Sequence, residues 1–480
     1  MTKLSIDCLN LIFNELQDRN SLHSCLLVNR EWCRLVVPIL WKEYSWQKYL
    51  QKKIFYTILS CLQSSSKQLL SDNDIELSST IHLKSPLFNY ISFCKFPGAK
   101  IIDNIVEMVF EEEFNKGKVN KKNKRNLLEQ ELYKLFVSQC KNIKELNWKT
   151  LQPLSLFSGA STCFSQLYSL NIDIDFVNSN ALYEMSQICK NLNKLIIDNC
   201  SQDLPGLISL IEAQRNLKSI LIYPNVKKGV TCKELSKALA KKGATINDLH
   251  LGPIGAIPPS FLTSFIKLKN ITINDGGNIR DEIKDFQHHL AISEFPDLQT
   301  ITFAGLSCFK ELAMLIEKTK GNISEICTYN SNRATENTGM LIKAIANKCP
   351  KIKYLHIYIE PKDSIHIKSL LLNCRQLKVL NFYGFDFINE NNDNEDVGDE
   401  LLDILAKFSA ISLRKIALSG SWKYSIDIFE RFFESCRNRT LSYFAIFPND
   451  VRNYITDDHK AIVRKYIKEG VIISSNLNHL

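Results

Sequence analysis

A short apolar pattern recurs twelve times in the C-terminal two thirds of this sequence of 480 residues. Its kernel is apolar-x-x-apolar-x-apolar, as in LNKLII, LQTITF and LKVLNF, and successive kernels begin 22 to 36 residues apart. The last two apolar positions alternate with other residues, which predicts a strand buried on one face. A unit of this size cannot bury its own apolar face, so the pattern restricts the fold to stacked repeats. The kernels begin at Ile143, Leu167, Leu192, Leu217, Ile246, Leu268, Leu298, Ile323, Ile352, Leu377, Leu413 and Leu441.

The segments between the kernels have the periodicity of helices. In ALYEMSQICK, MLIKAIANKC and IFERFFESCR, apolar residues recur every three or four positions, as in helices with one buried face. Each unit is therefore predicted to contain a strand, a loop, a helix and a second loop. We expect an α/β solenoid with parallel strands on its concave face and helices on its convex face.

Residues 140 to 450 resemble the leucine-rich-repeat family, with the spacing of its longer, helix-containing repeats. That family usually carries an Asn or Cys three residues after the last kernel position. Cys200 and Asn225 occupy this place, but most of the copies here lack such a residue. The sequence therefore predicts an irregular solenoid with a weak internal ladder.

The first 45 residues contain two further apolar stripes at helical spacing, separated by the polar segment QDRNS. Pro38 suits the first turn of a third helix that carries Leu40 and Trp41. A module of fewer than about 60 residues buries little surface, and Trp and Phe are frequent anchors of interfaces, so docking to a partner is expected. The stripes are Ile6, Leu9, Phe13 and Leu16, then Leu22, Cys25, Leu26 and Trp32.

This stretch resembles an F-box, a module whose pattern ends with valine, a polar residue, arginine, any residue and tryptophan. Ser5 replaces the proline usual in that family, and Asp7 replaces the usual glutamate. The resemblance implies binding to the adaptor subunit of SCF-type cullin ubiquitin ligases and, through it, to a cullin. The matching positions are Leu4, Leu9, Ile12, Phe13, Leu16, Leu22, Val28, Arg30, Trp32, Leu40 and Trp41. The predicted adaptor-binding set is this list without Arg30 and with Ser5.

Four parts of the chain follow from these patterns. Residues 1–45 are predicted to be the F-box, 46–139 a linker with irregular first repeats, 140–450 the leucine-rich repeats and 451–480 a C-terminal cap. Within the second part, Phe88, Ile91 and Phe93 have kernel-like spacing and could form an early strand. A different hypothesis for residues 1–45 is that they are only a helical cap on the solenoid.

Residues beside and between the last two kernel positions are expected to point into the concave face. Tyrosines are concentrated at these positions in the later repeats, and tyrosine combines a large contact area with a hydrogen-bonding tip. They predict a patch that binds a client protein, although tyrosine also favours strands for other reasons. The predicted client-binding residues are Tyr329, Tyr354, His356, Tyr358, Tyr383, Tyr443 and Phe447.

Charge and hydropathy exclude several classes of protein. The net charge of +9 is spread along the chain, and the concave positions include Asp173, Asp198, Asp248 and Glu325, so nucleic acid is an unexpected partner. No apolar run approaches the ~18 residues that a membrane span needs. The first residues also lack the continuous apolar core of a secretory signal. We expect a protein of the cytoplasm or nucleus with no membrane partner.

The cysteines and histidines do not indicate a cofactor or a metal site. The fifteen cysteines are an odd number without any C-x-x-C pair, so most are expected to be reduced and buried. Four of them precede a kernel by three residues and are predicted to pack where a helix turns into a strand. His288 and His289 lack further converging ligands. The four cysteines are Cys140, Cys189, Cys349 and Cys374.

Two charged segments are interpreted as solvated loops. The acidic segment at residues 389–400 lengthens one repeat, and the basic segment at residues 115–125 precedes the array. The basic segment could instead be a nuclear-import signal.

No phosphate-binding loop, nucleophile elbow, zinc-protease motif or kinase motif is present, and no closely spaced zinc ligands indicate a RING domain. The leading hypothesis is therefore a non-catalytic substrate receptor of an SCF-type ligase, which holds a client near other subunits that catalyse ubiquitin transfer. The alternative is a non-ligase leucine-rich-repeat scaffold or sensor for protein–protein interaction, whose N-terminal module is a cap or binds the adaptor without recruiting a cullin.

Overall fold

A computed structural model describes most of the chain, namely residues 4–16, 18–44, 51–77, 86–111, 121–225, 231–275, 280–329, 337–384, 397–420, 422–447 and 455–478. The chain divides into two compact units. The first contains Met1–Asp198 and Leu204–Asn216, and the second contains Asn199–Asp203 and Leu217–Leu480.

The first unit begins with helices. The N-terminal three are α1 (Ile6–Glu15), α2 (Arg19–Leu26) and α3 (Arg30–Tyr44). The helices that follow are Gln51–Ser60, Ser64–Asp72, Ala99–Glu111 and Lys121–Gln139, with a short 3-10 helix at Tyr90–Phe93. The segment with kernel-like spacing at Phe88, Ile91 and Phe93 therefore contains this 3-10 helix and is not a strand. Ile91 is buried there, because a 3-10 turn points one side chain in three toward the core.

Three parallel strands follow, all in the first unit except the last two residues of the third. They are β1 (Glu145–Trp148), β2 (Ser169–Asp173) and β3 (Lys194–Cys200), with Leu146 beside Leu170 and Leu170 beside Leu195. Helices Ala160–Phe164, Ser179–Ile188 and Pro205–Ala213 alternate with them.

The second unit has the same alternation, and each strand within it pairs in parallel with the next in chain order. The strands are β4 (Ser219–Pro224), β5 (Asp248–Leu251), β6 (Asn270–Asn274), β7 (Thr300–Ala304), β8 (Glu325–Tyr329), β9 (Tyr354–Ile359), β10 (Val379–Gly384), β11 (Lys415–Ser419) and β12 (Tyr443–Phe447). The helices are Lys233–Lys241, Arg280–Ile292, Phe309–Glu317, Thr338–Lys348, Ser364–Asn373, Val397–Phe408, Ile426–Ser435 and Asp457–Lys468. Short 3-10 helices lie at Pro259–Ser264, Pro361–Asp363 and Asn476–Asn478.

Each of the twelve sequence kernels falls on one described strand, so the predicted alternation of strands and helices is confirmed. The second and third kernel positions are buried, as Leu380 and Phe382 show in β10. The residues between and beside them, such as Asn381 and Tyr383, lie on the opposite face of the strand. We call this second face of the strands the open face.

The last described residues lie beside β12. Leu441 and Ile472 form a parallel bridge, as do Phe444 and Ser475. Ile446 N also donates to the side chain of Asn476, over 3.1 Å. These contacts satisfy backbone groups that an edge strand would otherwise expose.

The cysteines that precede the kernels pack as predicted. Cys140 follows the last residue of a helix, and Cys189, Cys349 and Cys374 cap the C-termini of theirs. All are buried, and the thiol of Cys374 donates to the carbonyl of Cys349 over 3.5 Å. Burial raises the pKa of Cys189 to about 11 and that of Cys374 to about 12, which keeps the thiols protonated.

Three predictions about boundaries need correction. Helix α3 begins at Arg30, so Trp32 belongs to it and Pro38 lies inside the helix and not in its first turn. The basic segment 115–125 is helical from Lys121 onward, and the acidic segment 389–400 is helical from Val397 onward. The remainder of each charged segment lies outside the described residues.

Candidate functional site

The three N-terminal helices form a small bundle around their own apolar residues. Phe13 of α1 is buried, and the indole of Trp32 on α3 meets its ring edge-on with 5.0 Å between centroids. Leu16, Cys25, Leu26, Trp32, Leu35 and Ile39 are partly buried around this centre. The buried core consists of Leu9, Phe13, Leu22, Val36 and Leu40.

Side-chain caps fix where the three helices begin. The hydroxyl of Ser5 accepts from Cys8 N at the start of α1, over 3.3 Å. Asp18 accepts from Ser21 N at 2.8 Å, and Asn29 accepts from Trp32 N at 2.8 Å. Each cap supplies an acceptor to a backbone N–H that has no partner within its helix.

The sequence-predicted adaptor-binding residues separate into four groups. Leu9, Phe13, Leu22 and Leu40 lie in the core, where no partner can reach them without unfolding the bundle. Trp41 packs on Tyr90, with 4.6 Å between ring centroids, and so contacts the chain itself. Leu16 and Trp32 are partly buried against the core. The remaining predicted residues are exposed, namely Leu4, Ser5, Ile12 and Val28.

The bundle also exposes apolar side chains that the sequence patterns did not single out. Leu27 is 88% exposed and Leu11 70% exposed. Ile6, which belongs to the first apolar stripe, is exposed as well. Leu11 and Leu27 lie outside the apolar stripes at helical spacing. An apolar residue outside its stripe is the sequence signal that could have identified both as exposed. Leu27 caps the C-terminus of α2 directly before Val28. Isolated exposed apolar residues are ordinary, but several on one small module favour an interaction surface.

A second candidate site is an aromatic cluster on the open face of β8, β9 and β10. Tyr358 and Tyr383 lie in register on adjacent strands, with 5.4 Å between ring centroids. Tyr329 of β8 contacts Tyr383 of β10 at 6.0 Å and His356 of β9 at 6.3 Å. The structure thus brings four of the seven predicted client-binding residues together.

Polar groups connect the cluster internally. Asn381 Nδ2 lies 3.1 Å from His356 Nδ1, and because an amide N–H donates, the ring nitrogen accepts. The hydroxyl of Tyr329 lies 3.5 Å from the same nitrogen and donates to Cys327 Sγ over 3.8 Å. Asn381 was not predicted, although its place between two kernel positions put it on the open face.

Partial burial keeps this cluster uncharged. Desolvation lowers the pKa of His356 and raises the pKa of Tyr329 and of Tyr383. It also raises the pKa of the Cys327 thiol. The cluster therefore presents neutral rings and hydroxyls near neutral pH, which suits contacts with apolar or hydrogen-bonding groups.

The other three predicted client-binding residues do not join the rings of the cluster. Tyr354 begins β9 and is exposed, in register with Val379. Tyr443 and Phe447 lie at the two ends of β12, in register with Lys415 and Ser419. They share the open face with the cluster. Tyr354 precedes His356 by two residues on β9, and Tyr443 and Phe447 lie two strands away from β10.

Neither candidate site has the composition of a metal centre. Within the ranges described above, no group of three or more His, Cys, Asp or Glu side chains is arranged to hold a metal ion. The rings of His288 and His289 lie 5.3 Å apart, and His289 Nδ1 is 3.2 Å from a carboxylate oxygen of Asp285. None of the helices in the described part of the chain has the length and apolar character needed to cross a membrane.

No protein-family model matches the chain, and no curated protein does. Among solved structures, the chain is similar to one entitled "Crystal structure of Rad7 and Elc1 complex in yeast". The identity is 15%, the match covers 82% of this chain and 92% of that chain, and the TM-score is 0.33. This similarity is distant.

Proposed function

We propose that this protein is a substrate-recognition subunit of an SCF-type cullin ubiquitin ligase. The N-terminal bundle docks the adaptor subunit and, through it, the cullin. The open face of the repeats binds a client protein. The chain itself catalyses nothing, and other subunits transfer ubiquitin to the client.

The exposed apolar residues of α1 and of the α2–α3 connection carry this proposal. Ile12 and Val28 match the F-box pattern and remain exposed, while Phe13 and Leu40 of the same pattern form the core. A bundle that needed only to be stable would gain nothing from exposing large apolar side chains. Their burial by an adaptor would remove apolar surface from water, at roughly 25 cal/mol per Å².

The aromatic cluster supports the second half of the proposal. Tyr329, Tyr358 and Tyr383 present rings and hydroxyls on rigid strands, so little side-chain entropy is lost when a partner binds them. A client held there has a high effective concentration near the ubiquitin carrier of the assembled ligase. The mechanism is therefore proximity.

The direct test is binding of the purified full-length chain to the purified adaptor subunit. We expect wild type to bind and an Ile12→Glu, Val28→Glu variant to lose at least about tenfold in affinity, because two charges would be buried at the interface. Leu87→Glu is the matched control, since Leu87 is also exposed in the first unit but lies outside the bundle.

Three results would count against the proposal. A folded wild type that fails to bind the adaptor would remove the ligase hypothesis, and so would equal weakening by the control. Removal of residues 1–45 tests the hypothesis of a helical cap. Unfolding of the first repeats after that deletion would favour the cap, whereas unchanged melting of the repeats is expected for a docking module.

A further inference from the structure

An uncompensated run of positive charge lies where the chain enters three successive strands, β9, β10 and β11. The helix-to-strand connections at residues 348–354, 373–379 and 408–415 contain seven Lys or Arg and no Asp or Glu. We define the basic edge by six of these residues. They are Lys351, Lys353, Arg375, Lys378, Arg414 and Lys415, all exposed except the half-buried Lys353.

Backbone hydrogen bonds place three of these cations side by side. Lys378 N donates to the carbonyl of Lys353 over 2.8 Å, and Arg414 N donates to the carbonyl of Lys378 over 2.9 Å. Neighbouring strands are about 4.8 Å apart, so the three side chains leave the sheet edge within about 10 Å of one another. Lys415 adds a fourth cation in register with Val379 of β10.

The described residues do not neutralise this charge. No carboxylate among them forms an ion pair with the basic edge, and none supplies an acceptor to the ammonium groups of Lys353, Lys378 or Lys415. Arg375 and Arg414 each donate to one carbonyl, those of Phe408 and Thr440. Like charges at the same register of adjacent strands repel each other, so the arrangement is unfavourable until an anion binds.

The extent of the basic edge limits the kind of anion. On one side, Glu325 of β8 lies in register with Tyr354. On the other side, in the connection that precedes β12, Arg437 pairs with Glu434 and Glu469, and Arg439 is buried. A nucleic-acid strand that continued past three repeats would meet these carboxylates. An extended peptide of about four residues spans the same 10 Å and stays within the positive region.

From this arrangement we propose that the basic edge binds a short acidic segment of a partner protein. The anionic groups are carboxylates or phosphates, since both accept charge-assisted hydrogen bonds from Lys and Arg. Tyr354 stands beside these cations at the start of β9 and offers the segment an exposed ring. The inference deepens the proposed function. It rests on that function only in one respect, namely that the partner protein is identified with the client.

Fluorescence anisotropy with the full-length chain tests the inference. The probes are a fluorescein-labelled glutamate-rich peptide, a phosphoserine peptide of equal length, a glutamine peptide and a thymidine oligonucleotide. We expect at least one anionic peptide to bind, and the stronger of the two identifies the anion. Binding should weaken as salt is added, because the cations are exposed. K378E/R414E should lower the affinity about tenfold at low ionic strength.

The matched control is K218E/K269E, which reverses two exposed lysines that precede β4 and β6 at the same kernel position. It should change the affinity less than about twofold. Equal loss in both variants, equal binding of the glutamine peptide, or tighter binding of the oligonucleotide than of either anionic peptide would overturn the inference. Adaptor binding by the same samples is read separately. K378E/R414E should still bind the adaptor. Failure of wild type to bind the adaptor would contradict the proposed function, whereas failure to bind either anionic peptide would contradict only the inference about the basic edge.

Discussion

The indole of Trp32 packs against the ring of Phe13 at 67° between the ring planes. The contact joins α3 to α1 across the centre of the N-terminal bundle. Trp32 is partly buried and Phe13 is 1% exposed. A tryptophan whose sequence pattern suggested a docking anchor thus holds the module together, and the exposed apolar residues of the module lie elsewhere.

A pair of adjacent substitutions separates the core of the bundle from its exposed surface. Phe13→Ala should destabilise the bundle by about 3–5 kcal/mol, because it removes a buried ring and leaves a cavity. Ile12→Ala should change stability by less than about 0.5 kcal/mol, because Ile12 is exposed. Hydrogen exchange of the α1–α3 amides provides the measurement. Similar protection in both variants would show that the bundle is not organised around Phe13.

Ser5 provides a test of the departure from the F-box pattern. Its φ of −64° is the value that proline requires, and its hydroxyl caps α1. Ser5→Ala should cost about 1 kcal/mol through loss of the cap. Ser5→Pro should recover part of this loss, by about 0.4–1 kcal/mol, since proline restricts the unfolded chain. Protection of the α1 amides from hydrogen exchange should decrease in the order wild type, Ser5→Pro, Ser5→Ala. Stronger protection in either variant than in wild type would contradict this prediction.

The repeats could be predicted from sequence because their signal is local and periodic. In each kernel, alternation specifies a strand and its buried face, and helical spacing between kernels specifies the connecting helices. Tyr358 and Tyr383 could therefore be assigned to one face by alternation alone. The contact of Tyr329 with Tyr383 could not, because it reaches across an intervening strand and depends on side-chain rotamers.

The N-terminal bundle could be predicted from its sequence only in part, for a different physical reason. An apolar stripe identifies residues that avoid water, but the same stripe serves a core and an interface. Pro38 favoured a helix start, yet tertiary packing tolerates it inside α3. The sequence-based assignment of Trp32 to the second helix and of Trp41 to the third depended on that predicted helix start. The basic edge could not be predicted from the sequence, because Lys353, Lys378 and Arg414 are far apart in the chain and become neighbours only through strand pairing.

Acid should lower the stability of the second unit, because this unit contains partly buried histidines. Burial lowers the pKa of His356 and of His250, so the folded state binds fewer protons than the unfolded state just below the ordinary histidine value of about 6.5. The contribution of the two histidines to the free energy of unfolding is constant above that pH. It decreases as the pH falls toward their folded-state pKa. The melting temperature should therefore fall between about pH 7 and pH 5.5.

Substitution identifies the source of that pH dependence. His356→Gln should flatten the fall in melting temperature, because glutamine does not titrate, while its side-chain oxygen can accept from Asn381 as the imidazole does. His288→Gln, at an exposed position, should leave the slope as in wild type. Equal slopes in wild type and His356→Gln would show that other groups dominate the titration.

Gly206 tests how tightly successive repeats pack in the first unit. Its N–H donates to Ser179 Oγ over 2.8 Å, and a Cβ added to Gly206 would lie 1.9 Å from Ser179 O. Because that oxygen belongs to the backbone, helices Ser179–Ile188 and Pro205–Ala213 would have to move apart. Gly206→Ala should destabilise the first unit by about 1–3 kcal/mol, measured by urea unfolding. Gly98→Ala is the control, since nothing lies within 4 Å of its added Cβ; equal stability of the two variants would contradict the close packing.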